Sequence, residues 1–310
     1  MEKSKKLKGF LTIATGKEEY YILARNLLHS YRHFCPAPLP FAILADRENE
    51  YTAEFDDVLI FRDGASNSYL DKLEMGVYLP YDQTIFIDAD CLAYGDLNHL
   101  FEYFKLADDF SCFGRVLPLD DKTGWFEYEN LGDLKRKVSY VVGLHGGIYA
   151  MKDTGLCRQV FETAKQLVED YAKFKFKGKF NTPGDEPLIA LAMALNGCQP
   201  ISFQREAICC YWEYTDSMEI DISEGKAEIT SQPTGKTDLV HWGTRFTRGL
   251  LYQKQIALLN ILEQENVEVQ EQADQIKHCK RKYERLMAAE QRRVFISRVK
   301  NKIRRTIGKR

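Results

Sequence analysis

Over roughly the first two hundred residues, short apolar runs alternate with longer stretches whose apolar positions recur at helical spacing. That alternation restricts the fold more than any other feature of the chain. Strands separated by helices need right-handed crossovers, and these build a mostly parallel sheet with helices on both faces. Strands are expected at 9–15 (GFLTIAT), 40–46 (PFAILAD), 57–61 (DVLIF) and 83–90 (QTIFIDAD), with helices at 18–34 and at 68–80, the latter stopped by Pro80. Beyond these, the pattern predicts a short helix at 95–104 with Asp96 as its N-cap and a strand at 109–114. It then predicts a strand at 145–152, a helix at 154–174, a polar turn and helix at 181–197 closed by Gly197, and a strand at 238–244. Residues 118–140 read as a long loop, and from Gln253 the chain is helical, polar and glycine-free until Gly308.

A chain of 310 residues is long enough to bury a sizeable core. The change of pattern near residue 250 divides it into an α/β domain over 1–250 and a helical, basic extension over 251–310. Net charge is -2, but nine Lys or Arg and no acid lie between Arg292 and Arg310, which leaves about -11 on the rest. An acidic body gives no reason to expect nucleic acid. The eight cysteines form no C-x-x-C pair, and Cys209-Cys210 is a poor disulfide geometry, so they read as small buried hydrophobes in a reducing compartment. With no secretory signal and no run of 18 apolar residues, the expected location is cytoplasmic.

The strand at 83–90 carries two carboxylates, Asp88 and Asp90, around a single alanine. Side chains at i and i+2 of an extended segment point to the same side, so both aim beyond the strand's carboxyl end, where ligands lie in open α/β sheets. Two hard oxygen donors suit Mg²⁺ or Mn²⁺; the competing reading is a strand terminus with aspartates as turn formers. The pair also sets like charges side by side, so Asp90→Asn is expected to stabilise the metal-free protein.

The run DKLEMGVYLPYDQTIFIDADCLAYGDLNHLFEYF (71–104) resembles the donor-binding core of glycosyltransferase family 8, the family of glycogenin and of bacterial lipooligosaccharide galactosyltransferases. The matching features are Lys72, Tyr81-Asp82, the strand into Asp88-Ala89-Asp90, and Gly95-Asp96-Leu97. HGGIYAMK is similar to the family's glycine-containing strand, with Gly147 at the glycine. PGDEPLIALAM is similar to its Gly-Asp-Gln motif, with Asp185 matching and Glu186 in place of glutamine. LVHWGTRFTR is similar to its metal-binding histidine segment, with His241 matching. FLTIATGKEEYYILARNLLHSY resembles the family's nucleotide-binding first strand and helix. Several positions depart from the pattern. Gly243 comes one place early, and no lysine stands where the family keeps its pyrophosphate-binding one, a part that Arg245 or Arg248 could take although the motif assigns neither; His145 replaces an asparagine, and neither Tyr20 nor Tyr21 aligns with the uracil-stacking aromatic.

The resemblance implies a GT-A type α/β fold and metal-dependent sugar transfer from a UDP-sugar to a hydroxyl acceptor, with retention. It implies metal binding by Asp88, Asp90 and His241, with Mn²⁺ favoured by the imidazole. Thr15, Lys72, Ala89, Gly147, Gly243 and Arg245 would serve the nucleotide donor, and Asp185 and Glu186 the catalytic step. The acceptor would be a saccharide or lipid-linked. Two other readings remain: a sugar-nucleotide nucleotidyltransferase, for which TIATGKEEYY is a thin phosphate loop, and a noncatalytic scaffold. Trp212, beside Tyr211 and Tyr214, has two readings, a wall of an acceptor groove and core packing, of which core packing is the expected one; His29, His33, His99 and His278 are expected on the surface. In the tail, Phe295, Val299, Ile303 and Ile307 fall four apart with Lys and Arg on the flanks, a pattern of helices that lie on anionic lipid, such as the cytoplasmic face of a membrane.

Overall fold

The structure is a computed structural model, and it describes residues 7–176, 183–231 and 235–307, with side chains as far as Ser297. Asn181 and Thr182 of the expected polar turn, and the side chains of Val299, Ile303 and Ile307 in the basic tail, lie outside the described residues.

The first half is built from β1 (Lys8–Ala14), α1 (Glu18–Phe34), β2 (Phe41–Ala45), β3 (Asp57–Ile60), β4 (Gln83–Ile87), β5 (Cys91–Ala93), α2 (Leu100–Tyr103) and β6 (Phe110–Leu117). Then follow β7 (Val141–Lys152), α3 (Gly155–Gln166), α4 (Tyr171–Phe174), α5 (Asp185–Leu195), β8 (Ile201–Ser202) and β9 (Cys209–Cys210). The last elements are β10 (Met218–Asp221), β11 (Lys226–Ile229), β12 (Leu239–His241), α6 (Leu250–Leu262) and α7 (Val269–Ile307).

Seven strands form the main sheet in the order β3-β2-β1-β4-β7-β6-β8. Every pairing is parallel except the two made by β7 with β4 and β6. The expected mostly parallel sheet is therefore the one observed. Residues alternate between its faces with period two: Phe10, Ile43, Ile85 and Ile87 pack under α1 and α2, while Leu11, Leu44, Phe86 and Tyr149 pack under α3 and α5. A small sheet, β5-β12-β9, covers a third cluster around Trp242, Tyr94 and Tyr252. Through Tyr252, Leu258 and Leu259, α6 is part of that cluster, and Cys279 of α7 is buried against it.

Four local expectations needed correction. The single helix expected at 154–174 is interrupted between Gln166 and Tyr171. The segment at 68–80 is a 3₁₀ helix, Tyr69–Val77, capped by the Ser68 side chain on the Leu70 N–H. The stretch at 118–140 is not a free loop: Phe126, Leu131 and Val138 anchor it in the core, and 3₁₀ turns span Tyr128–Lys137 around Gly132. The C-terminal helices are broken between Leu262 and Val269, although no glycine is present; Asn266 takes the left-handed conformation there (φ 60°). Asparagine tolerates that region better than other non-glycine residues. All eight cysteines are free and buried, as expected. No helix among the described residues is long and apolar enough to cross a membrane.

His29 joins three elements and is less superficial than expected. Its Nδ1 lies 2.7 Å from Glu263 Oε2 at the end of α6, and its Nε2 contacts Glu54. The Glu263 hydrogen bond, aided by Glu54 and opposed by burial, holds the imidazole above its ordinary value of 6.5. A raised folded-state value means the stabilisation is fully present below about pH 6.5, the unfolded value, and is lost as pH rises through the folded one. Urea unfolding of wild type and His29→Gln between pH 6 and 9 should show a gap on the order of 1 kcal/mol at pH 6 that closes toward pH 9. A gap independent of pH would mean that the imidazole's charge contributes nothing.

Candidate active site

β4 ends at Ile87, paired with Ile148 of β7, and the ladder runs one step further through the Asp88 N–H to the Gly147 carbonyl (3.0 Å). This leads the chain out of the sheet with Asp88 and Asp90 at its rim. The next residues enter β5, which pairs antiparallel with β12 in the register Cys91 to His241. A hydrogen bond from the Trp242 N–H to the Asp90 carbonyl (3.0 Å) closes that junction. His241 is thereby brought from 150 residues away to face both carboxylates, its Nε2 3.0 Å from Asp90 Oδ1 and 3.7 Å from Asp88 Oδ2. Gly147 passes so close that a β-carbon there would stand 2.9 Å from His241 Nδ1 and 2.8 Å from His145 Cε1.

Lys72 reaches in from the 3₁₀ helix, with Nζ 2.7 Å from Asp88 Oδ1 and 3.2 Å from Asp185 Oδ2. Burial opposes its charge, but Asp185 and Asp88 outweigh that and hold its pKa above the usual lysine value. Asp185 begins α5 behind Gly184, so it is not the N-cap; its carboxylate also accepts from the Tyr149 hydroxyl at 3.4 Å. Burial pushes Asp88 above the usual carboxylate range despite Lys72 and His241. Asp90 is also penalised by burial, but His241 and the Thr244 hydroxyl, 3.2 Å from Oδ2, bring it below that range. Asp90 in turn raises His241 against its own burial. Glu186 accepts from the Gly146 N–H (2.8 Å), and burial with the neighbouring Asp185 pushes it up to about 7.

His145 lies next to this cluster but plays a different part. Its Nδ1 accepts from the Gly147 N–H (3.2 Å), so a neutral ring carries its hydrogen on Nε2, directed at Cys210 Sγ 2.7 Å away. Burial, with help from the charges of His241 and Lys72, lowers its pKa to about 3. A hydrogen on Nε2 leaves no lone pair for a metal there, although His145, Cys210 and His241 are close neighbours.

A cleft of about 270 Å³ opens beside the carboxylates. It is walled by Ile13 and Thr15 from the end of β1, Tyr20 and Leu23 of α1, Asn67 to Tyr69, Asp71, Lys72, Asp88 to Asp90, and Thr244. This is the crevice outside the carboxyl ends of β1 and β4, on whose two sides the chain winds in different directions. Thr15 is fixed there by its hydroxyl on Asp71 Oδ2 (2.9 Å).

Ten of the eleven residues singled out in the sequence fall at or around this cluster. Arg245 does not: it is exposed, with its guanidinium over the Phe246 ring (5.7 Å). Arg248 is engaged elsewhere, bidentate to Glu19 at 2.8 Å through Nε and Nη2. Gly243 sits at φ 70°, where a side chain would be strained, and its turn carries Thr244 to Asp90. Thr244, Tyr69 and Asn67 were missed, since a lone threonine and a polar turn carry no motif. Trp212 was misplaced: it is 42% exposed rather than in the core.

No protein-family model matches this sequence, and no curated protein does. Among solved structures, the galactosyltransferase LgtC in complex with donor and acceptor sugar analogues aligns over 85% of this chain and 98% of its own, at 12% identity and a TM-score of 0.50. The chain has the GT-A glycosyltransferase fold. Mouse xyloside xylosyltransferase 1, in its apo form, aligns over 77% of this chain and 99% of its own, at 14% identity and a TM-score of 0.46. The GT-A fold expected from the sequence is thus the one found.

His241 Nε2 faces the carboxylates of both Asp90 and Asp88, and two carboxylates with one imidazole form an oxygen-rich set whose chemistry suits Mn²⁺ or Mg²⁺. The same geometry reverses the expectation for Asp90→Asn, because the substitution leaves the buried His241 without its main partner. Loss of Lys72 should cost more, since it uncovers Asp88 and Asp185 together. Lys72→Met is expected to lower stability by about 3–5 kcal/mol in urea unfolding without added metal. A loss below about 1 kcal/mol would show that these carboxylates do not depend on the ammonium.

Proposed function

We propose that this protein transfers a sugar from a UDP-sugar to an acceptor hydroxyl, with retention of configuration and with Mn²⁺ or Mg²⁺ as cofactor. The observation that carries the reading is that His241 faces Asp90 and Asp88 beside a cleft at the carboxyl ends of β1 and β4. The fold is shared with a protein solved with donor and acceptor sugar analogues.

In this reading Asp88, Asp90 and His241 would hold the ion, which would supply Lewis-acid stabilisation of negative charge on a diphosphate. Lys72, kept protonated by its two aspartates, adds a fixed positive charge where that negative charge builds. Thr15, Ala89 and Tyr20 line the nucleotide end of the cleft. The glycines 147 and 243 supply close backbone approach and the turn that sets Thr244. Asp185 is already held by Lys72 and Tyr149, which favours a part in orienting the donor sugar over one as nucleophile. Glu186, titrating near neutrality, is a hydrogen-bonding partner for a sugar hydroxyl in either protonation state.

Screening UDP-sugars for Mn²⁺-dependent release of UDP tests the reading. Asp90→Asn should reduce that release by about two orders of magnitude. His241→Ala should weaken Mn²⁺ and UDP binding together in calorimetry. Full activity of Asp90→Asn, or a His241→Ala protein that loses only stability, contradicts the assignment.

The proposal extends to the place of action. After Tyr283, α7 runs beyond the packed region, and Val294, Phe295 and Ile296 are exposed at 44%, 68% and 51%. Combined with the basic, acid-free sequence from Arg292 onward, this supports peripheral attachment to an anionic membrane on its cytoplasmic side, where a lipid-linked saccharide would be the acceptor. Each basic residue near such a surface contributes on the order of 1 kcal/mol. The full-length protein should pellet with anionic but not neutral vesicles, less so as salt rises, and Phe295→Ser with Ile296→Ser should weaken this at least severalfold. Equal pelleting with neutral vesicles, or no effect of the substitutions, contradicts attachment by the tail.

A further inference from the structure

On the side of His241 away from the donor cleft stands an aromatic residue with no part in the chemistry described so far. β9 pairs with β12 so that Cys210 lies opposite His241, and the chain then turns through a 3₁₀ helix, Tyr211–Glu213. Tyr211 faces inward, stacked on the fully buried Trp242 with ring centroids 4.6 Å apart, and edge-on to Phe246 at 5.2 Å. With Tyr211 anchored, its neighbour Trp212 is directed outward.

Trp212 is nevertheless held firmly. Its ring centroid is 4.9 Å from that of His241, at an interplanar angle of 75°. Its six-membered ring rests so closely on Gly243 that a β-carbon there would lie 3.0 Å from Cζ3 and 3.1 Å from Cε3. Gly243 is therefore required twice, for its positive φ and for the room it leaves the indole. An indole fixed on two sides and 42% open to solvent offers apolar surface at little entropic cost. The donor cleft does not include it.

From these observations we infer that Trp212 is the stacking platform for the acceptor, and that the acceptor is a pyranoside. This rests on the sugar-transfer reading. A pyranose has one face of C–H groups, which carry partial positive charge and fit the electron-rich face of an indole, while its hydroxyls stay free. Trp212 adjoins His241, which faces the Asp88 and Asp90 carboxylates, so a ring seated on the indole would neighbour the place where the donor sugar would be held. A lipid chain would need a longer apolar surface than one indole.

The test uses full-length protein and methyl α- and β-pyranosides of glucose, galactose and mannose. Tryptophan emission is followed with and without UDP and Mn²⁺, and transfer is followed from whichever UDP-sugar releases UDP. At least one glycoside should perturb the emission of wild type and of Trp125→Phe, but not of Trp212→Ala. For that glycoside as acceptor, Trp212→Ala should raise KM about tenfold or more, with UDP affinity in Mn²⁺ unchanged. If no glycoside perturbs the emission, or Trp212→Ala responds like wild type, the platform is refuted. If UDP affinity falls in step with acceptor affinity, Trp212 merely supports His241 and the inference is equally refuted. Failure of wild type to bind UDP would instead overturn the donor reading, leaving the glycoside titration without UDP to judge Trp212.

Discussion

The ion pair from Lys72 to Asp88 and Asp185 is the interaction on which the site depends. Four acids, Asp88, Asp90, Asp185 and Glu186, meet at the end of a buried strand, against one ammonium and one imidazole. Such a cluster is costly to fold and would disperse its charges or protonate them unless something bound there repaid the cost. The asymmetry within it is informative. Asp90 is kept ionised by His241 and Thr244, whereas at Asp88 burial prevails over the help of Lys72 and His241. A bound cation would relieve Asp88 first.

The fold provides this arrangement by crossing two sheets at one residue. The main sheet delivers Asp88 through the β4–β7 ladder, and the small sheet delivers His241 through the β5–β12 ladder. Asp90 lies between them, its carbonyl bonded to Trp242 and its carboxylate to His241 and Thr244. The same small sheet carries Cys210 and hence Trp212, so the carboxylates and Trp212, the proposed donor and acceptor sides, stand on opposite flanks of one strand, β12.

Much of this was legible in the sequence because it is written in short-range patterns. Short continuous apolar runs marked β1, β2 and β4, and the two aspartates after Ile87 marked the end of β4. His241 was legible only through its resemblance to a known motif, since nothing local ties it to Asp90. What was missed depends on contacts between distant residues. Trp212 looks like core beside Tyr211 and Tyr214, and only the stacking of Tyr211 on Trp242 turns it outward. The stretch at 118–140 reads as polar, yet three scattered apolar residues anchor it. Arg245 stands next to the motif in sequence, but the tight turn at Gly243 presents Thr244 to Asp90 and leaves the arginine outside.

The central claim is that Asp88, Asp90 and His241 form one cation site. Anomalous diffraction at the manganese edge, from crystals grown with Mn²⁺ and UDP, addresses it without depending on acceptor or sugar. The account predicts a single strong peak within ligand distance of all three side chains, with the UDP diphosphate alongside it in the cleft of Thr15 and Lys72. UDP bound in that cleft with no peak at the three residues, or a peak at His145 and Cys210 instead, would contradict it.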